Sequence, residues 1–106
     1  MNKETQEKIQ ELQNLEANIN NILAQKQQFQ AQQIEIENAL AQIKKTDKVF
    51  RIIGNIMVAS DKKTVKKELT EKQEMTELRL KSIEKQESKL KDKANELQKE
   101  VLKEMK

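Results

Sequence analysis

The stretch KVFRIIGNIMVAS, Lys48 to Ser60, decides how the rest of this chain is read. On either side lie some forty residues dominated by Gln, Lys, Glu and Leu, whereas this island packs five β-branched residues into thirteen and holds one of two Phe and the single Gly. Val49 to Ile53 and Ile56 to Ser60 are two five-residue β-type runs. Gly54-Asn55 between them is a Gly-X connection of the kind that closes a two-residue hairpin with a primed turn. With that turn, Ile53 faces Ile56, Ile52 faces Met57 and Phe50 faces Ala59. Phe50, Ile52, Met57 and Ala59 then share one wholly apolar face, and Val49, Arg51, Ile53, Ile56, Val58 and Ser60 share the other. A lone hairpin is marginal in water, and this one has two apolar faces and two unpaired edges. The pattern predicts an assembly element whose strands join those of other subunits in a shared sheet or barrel. The alternative reading is a helix–loop–helix with an apolar loop.

Working outward, both flanks carry helical periodicity. Steps of three and four from Leu12 reach Leu15, Ile19, Ile22, Lys26, Phe29, Gln33, Ile36, Leu40 and Ile43, a coiled-coil seam broken by Lys26 and Gln33. The same steps from Leu69 reach Gln73, Thr76, Leu80, Ile83, Glu87, Leu90, Ala94, Leu97 and Val101. These predict a first helix over 3–45, capped by Asn2 and ending on Lys44 and Lys45, and a second over 62–104, capped by Asp61. Gly54-Asn55 and the loss of the seam across 46–61 argue against one continuous helix. Two arms of equal length, each about 64 Å at 1.5 Å per residue, fit an antiparallel pair. The expected fold is mainly α: a long antiparallel two-helix coiled coil with a β-hairpin at the connection, as one domain over 1–106. Lys26, Gln33, Gln73, Thr76 and Glu87 read as solvated seam breaks or as register control, and Met75 and Leu78 fall outside the seam.

Composition closes off other classes. In 106 residues there is no Cys, His, Pro, Trp or Tyr, and charged residues make up 37%. Thiol chemistry, the usual zinc ligand sets and the common neutral-pH base are therefore excluded. Ser60, Ser82 and Ser88 have no His to activate them, and no loop offers a metal cage, so neither enzyme activity nor a cofactor is expected. Apolar runs are too short for a membrane span, and no leader-like segment is seen. A cytoplasmic location is the expectation. The net charge of +3 is uneven, −1 over 1–45 and +4 over 62–106. With two Arg and few aromatics it does not suggest nucleic-acid binding.

Helix, hairpin, helix at this length resembles the beta-type subunit of prefoldin, an ATP-independent chaperone. The resemblance is carried by Val49, Phe50, Arg51, Ile52, Ile53, Gly54, Asn55, Ile56, Met57 and Val58, which match the pattern valine, aromatic, basic, two hydrophobics, Gly-Asn, two hydrophobics, valine. DKKTVKKELTEK, Asp61 to Lys72, is similar to the start of the family's second helix. A single hairpin points to the beta type. The resemblance implies a hexamer of two alpha-type and four beta-type subunits, built on a double β-barrel of hairpins. It further implies clients in non-native form held between the arm tips, delivery to a group II chaperonin, and an archaeal or eukaryotic cytosolic setting.

On that reading Val49, Phe50, Ile52 to Val58 serve oligomerisation, and client binding falls to the chain ends. The candidates there are Ile9, Leu12 and Leu15 on the first arm and Leu97, Val101, Leu102 and Met105 on the second. The bland counterpart is coiled-coil core that frays, plus isolated surface apolars. The competing function is a coiled-coil scaffold or tether that assembles through the hairpin and holds no client.

Overall fold

The computed structural model describes residues 2–106. In chain order they form helix α1 (Lys3–Ile43), strands β1 (Val49–Ile53) and β2 (Ile56–Ser60), and helix α2 (Lys62–Glu104). Both helix starts are made by the residues expected to cap them. Asn2 Oδ1 accepts the backbone N–H of Thr5 at 2.8 Å, and Asp61 Oδ2 accepts the N–H of Thr64 at 3.2 Å and its hydroxyl at 2.9 Å. Each satisfies donors that a first turn leaves orphaned. The end of α1 differs from expectation. The helix stops at Ile43, and Lys45 donates to Gln42 O at 3.0 Å, an i→i+3 bond that tightens the exit. Lys44 and Lys45 thus lie in a turn beyond the last helical residue.

The strands form a two-stranded antiparallel sheet with Val49 opposite Ser60, Phe50 opposite Ala59, Ile52 opposite Met57 and Ile53 opposite Ile56. This is the register that a Gly54-Asn55 loop dictates. Gly54 has φ +59°, and it is the one described residue in the left-handed region. A positive φ at the first central position only is the signature of a type II′ turn, which matches the right-handed twist of the strands.

The chain divides into two compact units. The first comprises Met1–Gln28 and Lys81–Lys106, where the start of α1 packs antiparallel on the end of α2. Its seam is Leu12, Leu15, Ile19, Ile22 and Lys26 against Ile83, Glu87, Leu90, Ala94, Leu97 and Val101, all buried or half-buried. Lys26 and Glu87, the two charged breaks, meet at 3.3 Å. Lys91 approaches the other carboxylate oxygen of Glu87 at 3.8 Å, an atom buried without a hydrogen-bond partner. The seam breaks in this unit are therefore one polar layer spanning both helices.

The second unit, Phe29–Leu80, holds the hairpin and the helix segments that flank it. Ile43, Thr76 and Leu80 are buried here, and Phe29, Gln33, Ile36, Leu40, Leu69 and Gln73 are half-buried. Arg79 stacks its guanidinium 5.6 Å from the Phe29 ring centre, a cation–π contact over the seam. Met75 and Leu78 are exposed, as their position off the seam requires, and so is Ile34.

Candidate functional site

The hairpin follows from its residues one step at a time. Alternation sends Phe50, Ile52, Met57 and Ala59 to one side, and all four are exposed. On the other side Val49, Arg51 and Ser60, nearest the helices, are half-buried, while Ile53, Ile56 and Val58 are exposed. The large apolar side chains from Phe50 to Val58 keep between 41% and 72% of their surface in water, Ile52 the most. Burying them would release on the order of 5–10 kcal/mol per chain, since each is partly covered already. Contiguous exposure of this kind on a short ribbon marks an interaction surface.

The two faces are made unequal by one ion pair. Arg51 donates to Glu68 on the second turn of α2. The hydrogen bond from Arg51 is the main reason the Glu68 carboxyl lies below the usual carboxylate range, and the same bond raises the Arg51 guanidinium. Beside it a shallow groove of about 370 Å³ is lined by Ile43, Lys48, Val49, Phe50, Val65 and Leu69. The hairpin is thus tied down at its base on the Arg51 side, and the Phe50–Ile52–Met57–Ala59 face stands open.

In the other unit, the chain ends are held by a polar clasp. Thr5 is only 2% exposed. Its hydroxyl donates to Glu104 Oε2 at 2.7 Å and lies 2.8 Å from Asn2 Oδ1. Lys8 pairs with Glu104 and stands 3.5 Å from Glu100. The bond from Lys8, then that from Thr5, lowers the Glu104 carboxyl, and Glu104 in turn raises the Lys8 ammonium. Beneath the clasp Val101 is 6% exposed. Ile9, Leu12, Leu15 and Leu97 are half-buried, and Leu102 and Met105 are exposed. Ile9, expected outside the seam, is partly covered because the seam extends upstream through Thr5 and Lys8.

Three polar devices escaped the sequence reading: Arg51–Glu68, the Thr5–Lys8–Glu104 clasp and the Lys26–Glu87 layer. Only the last left a signal. Lys26 and Glu87 are breaks of opposite sign in opposite seams, at comparable distances along the chain from the turn. Among the described residues, no cluster of acids could hold a metal ion, and no helix is long and apolar enough to cross a membrane.

The family model for prefoldin subunits matches residues 6–106. The chain belongs to the prefoldin family. Its curated relatives include the prefoldin beta subunits of Archaeoglobus fulgidus and Sulfurisphaera tokodaii, each 35% identical over 101 residues. Those alignments cover 92% of this chain and 87% and 81% of the relatives. The prefoldin beta subunit of Pyrobaculum islandicum is 34% identical over 94 residues, which is 86% of this chain and 75% of that one. Among solved structures, the crystal structure of the prefoldin beta subunit from Thermococcus strain KS-1 is similar with a TM-score of 0.86 and 30% identity. It covers 94% of this chain and 90% of that one. The names and the single hairpin agree on the beta type, so the sequence-level resemblance holds: this is a beta-type subunit of the prefoldin chaperones.

Proposed function

We propose that this prefoldin subunit works as one domain that assembles through its hairpin and holds unfolded proteins at its arm ends without nucleotide. The single observation behind the assembly step is the run of exposed apolar side chains from Phe50 to Val58, which the chain's remaining segments leave uncovered. The partner would be an alpha-type prefoldin subunit, in a hexamer of two alpha and four beta chains with a shared barrel of strands. Leu102 and Met105 are the first contacts for a client, since both are exposed at the arm end. Ile9, Leu12, Leu15, Leu97 and Val101 join when the clasp opens. Several weak apolar ends on one platform give avidity without any energy source, and the client then passes to a group II chaperonin in the cytoplasm. No cofactor, membrane or nucleic acid enters this scheme.

The test is suppression of aggregation of a chemically denatured client by the assembled complex. Suppression should fall when about ten residues are removed from each end, a cut sized to the first and last three turns of helix. A second reading, a scaffold that assembles but holds no client, draws support from the burial of Val101 under the clasp. Intact assembly with no suppression by the full-length chain would leave only that reading.

A further inference from the structure

The positive charge of this chain is concentrated beside the hairpin. Residues 44–67 carry seven lysines and Arg51 against Asp47 and Asp61, a net +6. The other 82 residues together carry −3. Lys44 and Lys45 lie in the turn after α1, and Lys48 immediately precedes β1. Lys62, Lys63, Lys66 and Lys67 occupy the first two turns of α2, one residue after β2 ends. Lys62 is half-buried and the other six are exposed. Among the described residues none of the seven forms an ion pair. Asp61 is engaged in capping α2, and Arg51 is already matched by Glu68.

Two of these lysines, Lys62 and Lys63 in the first turn of α2, stand where folding disfavours them. The N-terminus of a helix carries partial positive charge and favours acids, yet α2 has no acid in its first turn. Local choices that oppose the fold point to a demand from elsewhere. The apolar ribbon alone cannot tell one strand partner from another, because strand pairing and burial are generic. A five-residue strand is about 17 Å long, and the Debye length near physiological salt is about 8 Å. Any chain that pairs with β1 or β2 therefore brings its own flanking charges within range of this collar.

We infer that the lysine collar around the hairpin selects the assembly partner by charge, disfavouring an assembly built of this chain alone and favouring one that includes a subunit whose strand-flanking residues are acidic. The inference rests on the assembly reading given under Proposed function. With Arg51 cancelled by Glu68, two copies meeting through their hairpins set +5 against +5, and like-charge juxtaposition at an interface is a specificity device. An acidic partner gains from the same geometry. Lysine rather than arginine suits this role, since a point charge on a flexible stem repels or attracts without demanding a bidentate fit.

The test uses the full chain and a collar-reversed version of it, Lys62→Glu, Lys63→Glu, Lys66→Glu and Lys67→Glu together. Acids in the first turn of a helix are favourable, and far-UV circular dichroism checks that the variant keeps its helices. The two proteins, one carrying a mass label, are mixed in equal amounts at low and at high salt and read by native mass spectrometry and sedimentation velocity. At low salt, mixed assemblies should exceed the self-assembled species by roughly tenfold, the scale of rim-charge effects on association. The unmodified chain alone should assemble better as salt rises, and the preference for mixing should vanish at high salt. Random mixing at every salt concentration, or self-assembly of the unmodified chain that weakens with salt, overturns the inference while leaving hairpin assembly intact. A monomer in every mixture overturns hairpin assembly and the inference with it.

Discussion

The hairpin and the arm end are both apolar by sequence, and the structure treats them in opposite ways. Around the turn, Phe50, Ile52, Ile53, Ile56, Met57 and Val58 face water, and the one polar tie, Arg51–Glu68, anchors the base of the ribbon without covering it. At the arm end, Val101 is buried, Ile9, Leu12, Leu15 and Leu97 are half-buried, and Asn2, Thr5, Lys8 and Glu104 close over them. The difference teaches that exposed apolar surface at the hairpin is built into the single chain, with nothing that must open first. At the arm end it is conditional: Leu102 and Met105 are on offer at once, and the rest become available only if the clasp parts. Permanent exposure suits a stable subunit interface, and conditional exposure suits weak, reversible contact with varied partners.

The comparison breaks most visibly at Ile52. It is 72% exposed, so Ile52→Asp costs the isolated chain little yet places a charge in the middle of the open face. Assembly measured by light scattering should be lost, with helicity by circular dichroism largely unchanged. An oligomer of unaltered mass would show that this face is not the interface.

A second test addresses the arm. Lys26→Met leaves the buried Glu87 carboxylate with Lys91 alone, and should lower stability by about 1–3 kcal/mol. Adding Glu87→Leu should restore or exceed the original stability, because replacing both partners removes the desolvation penalty. Thermal melts of the two variants decide it, and hairpin assembly should be untouched in both. A double variant as weak as the single one would mean that the layer does more than satisfy its own charges.

The arm end itself divides by burial. Leu102→Ser with Met105→Ser should reduce client protection while leaving the melting temperature nearly unchanged, as both side chains are exposed. Val101→Ala should do the reverse first, costing roughly 2 kcal/mol of local stability. If anything it should improve access to the seam. Aggregation assays paired with melts separate the two effects, and equal loss of protection from both variants would erase the distinction between offered and conditional surface.

The smallest expected effect is one of pH. Glu104 is lowered from its ordinary 4.5 by its bonds from Lys8 and Thr5, so its contribution is present above pH 4.5 and is lost as the pH falls through its folded value below that. Lys8 is raised from 10.5, so its contribution is present below pH 10.5 and is lost as the pH rises through its folded value above that. The clasp should hold between these limits and loosen at either extreme. Exposure limits the gain, since surface pairs are screened. Protection of the Thr5 and Gln6 amides against exchange, relative to the intrinsic rate at each pH, should be lost in acid before protection elsewhere in α1, and uniform loss along α1 would count against a local clasp.

How much of this was legible beforehand depends on the range of the interaction. The strands, their register and the turn follow from Gly54-Asn55 and a period of two, all within thirteen residues. The caps at Asn2 and Asp61 and the seams from Leu12 to Ile43 and from Leu69 to Val101 are likewise local patterns. The exit of α1 was misplaced because Lys44 and Lys45 suit a helix end electrostatically, while the i→i+3 bond that ends it leaves no mark in composition. The burial of Thr5 and its bond to Glu104 join residues 99 apart in sequence. Such a contact depends on the stagger of one helix against the other, which a seam repeating every seven residues leaves open by whole turns. The lysine-rich second arm reads from sequence as a solvated face or a steer for acidic partners, and that its charge gathers beside the hairpin shows only against the exposed ribbon.

The most direct measurement is the mass of the purified chain in solution at high concentration, alone and mixed with an alpha-type prefoldin subunit. The account predicts a discrete multi-subunit complex in the mixture, one that Ile52→Asp dissolves. A monomer under both conditions, with the hairpin formed and still bare, would contradict it.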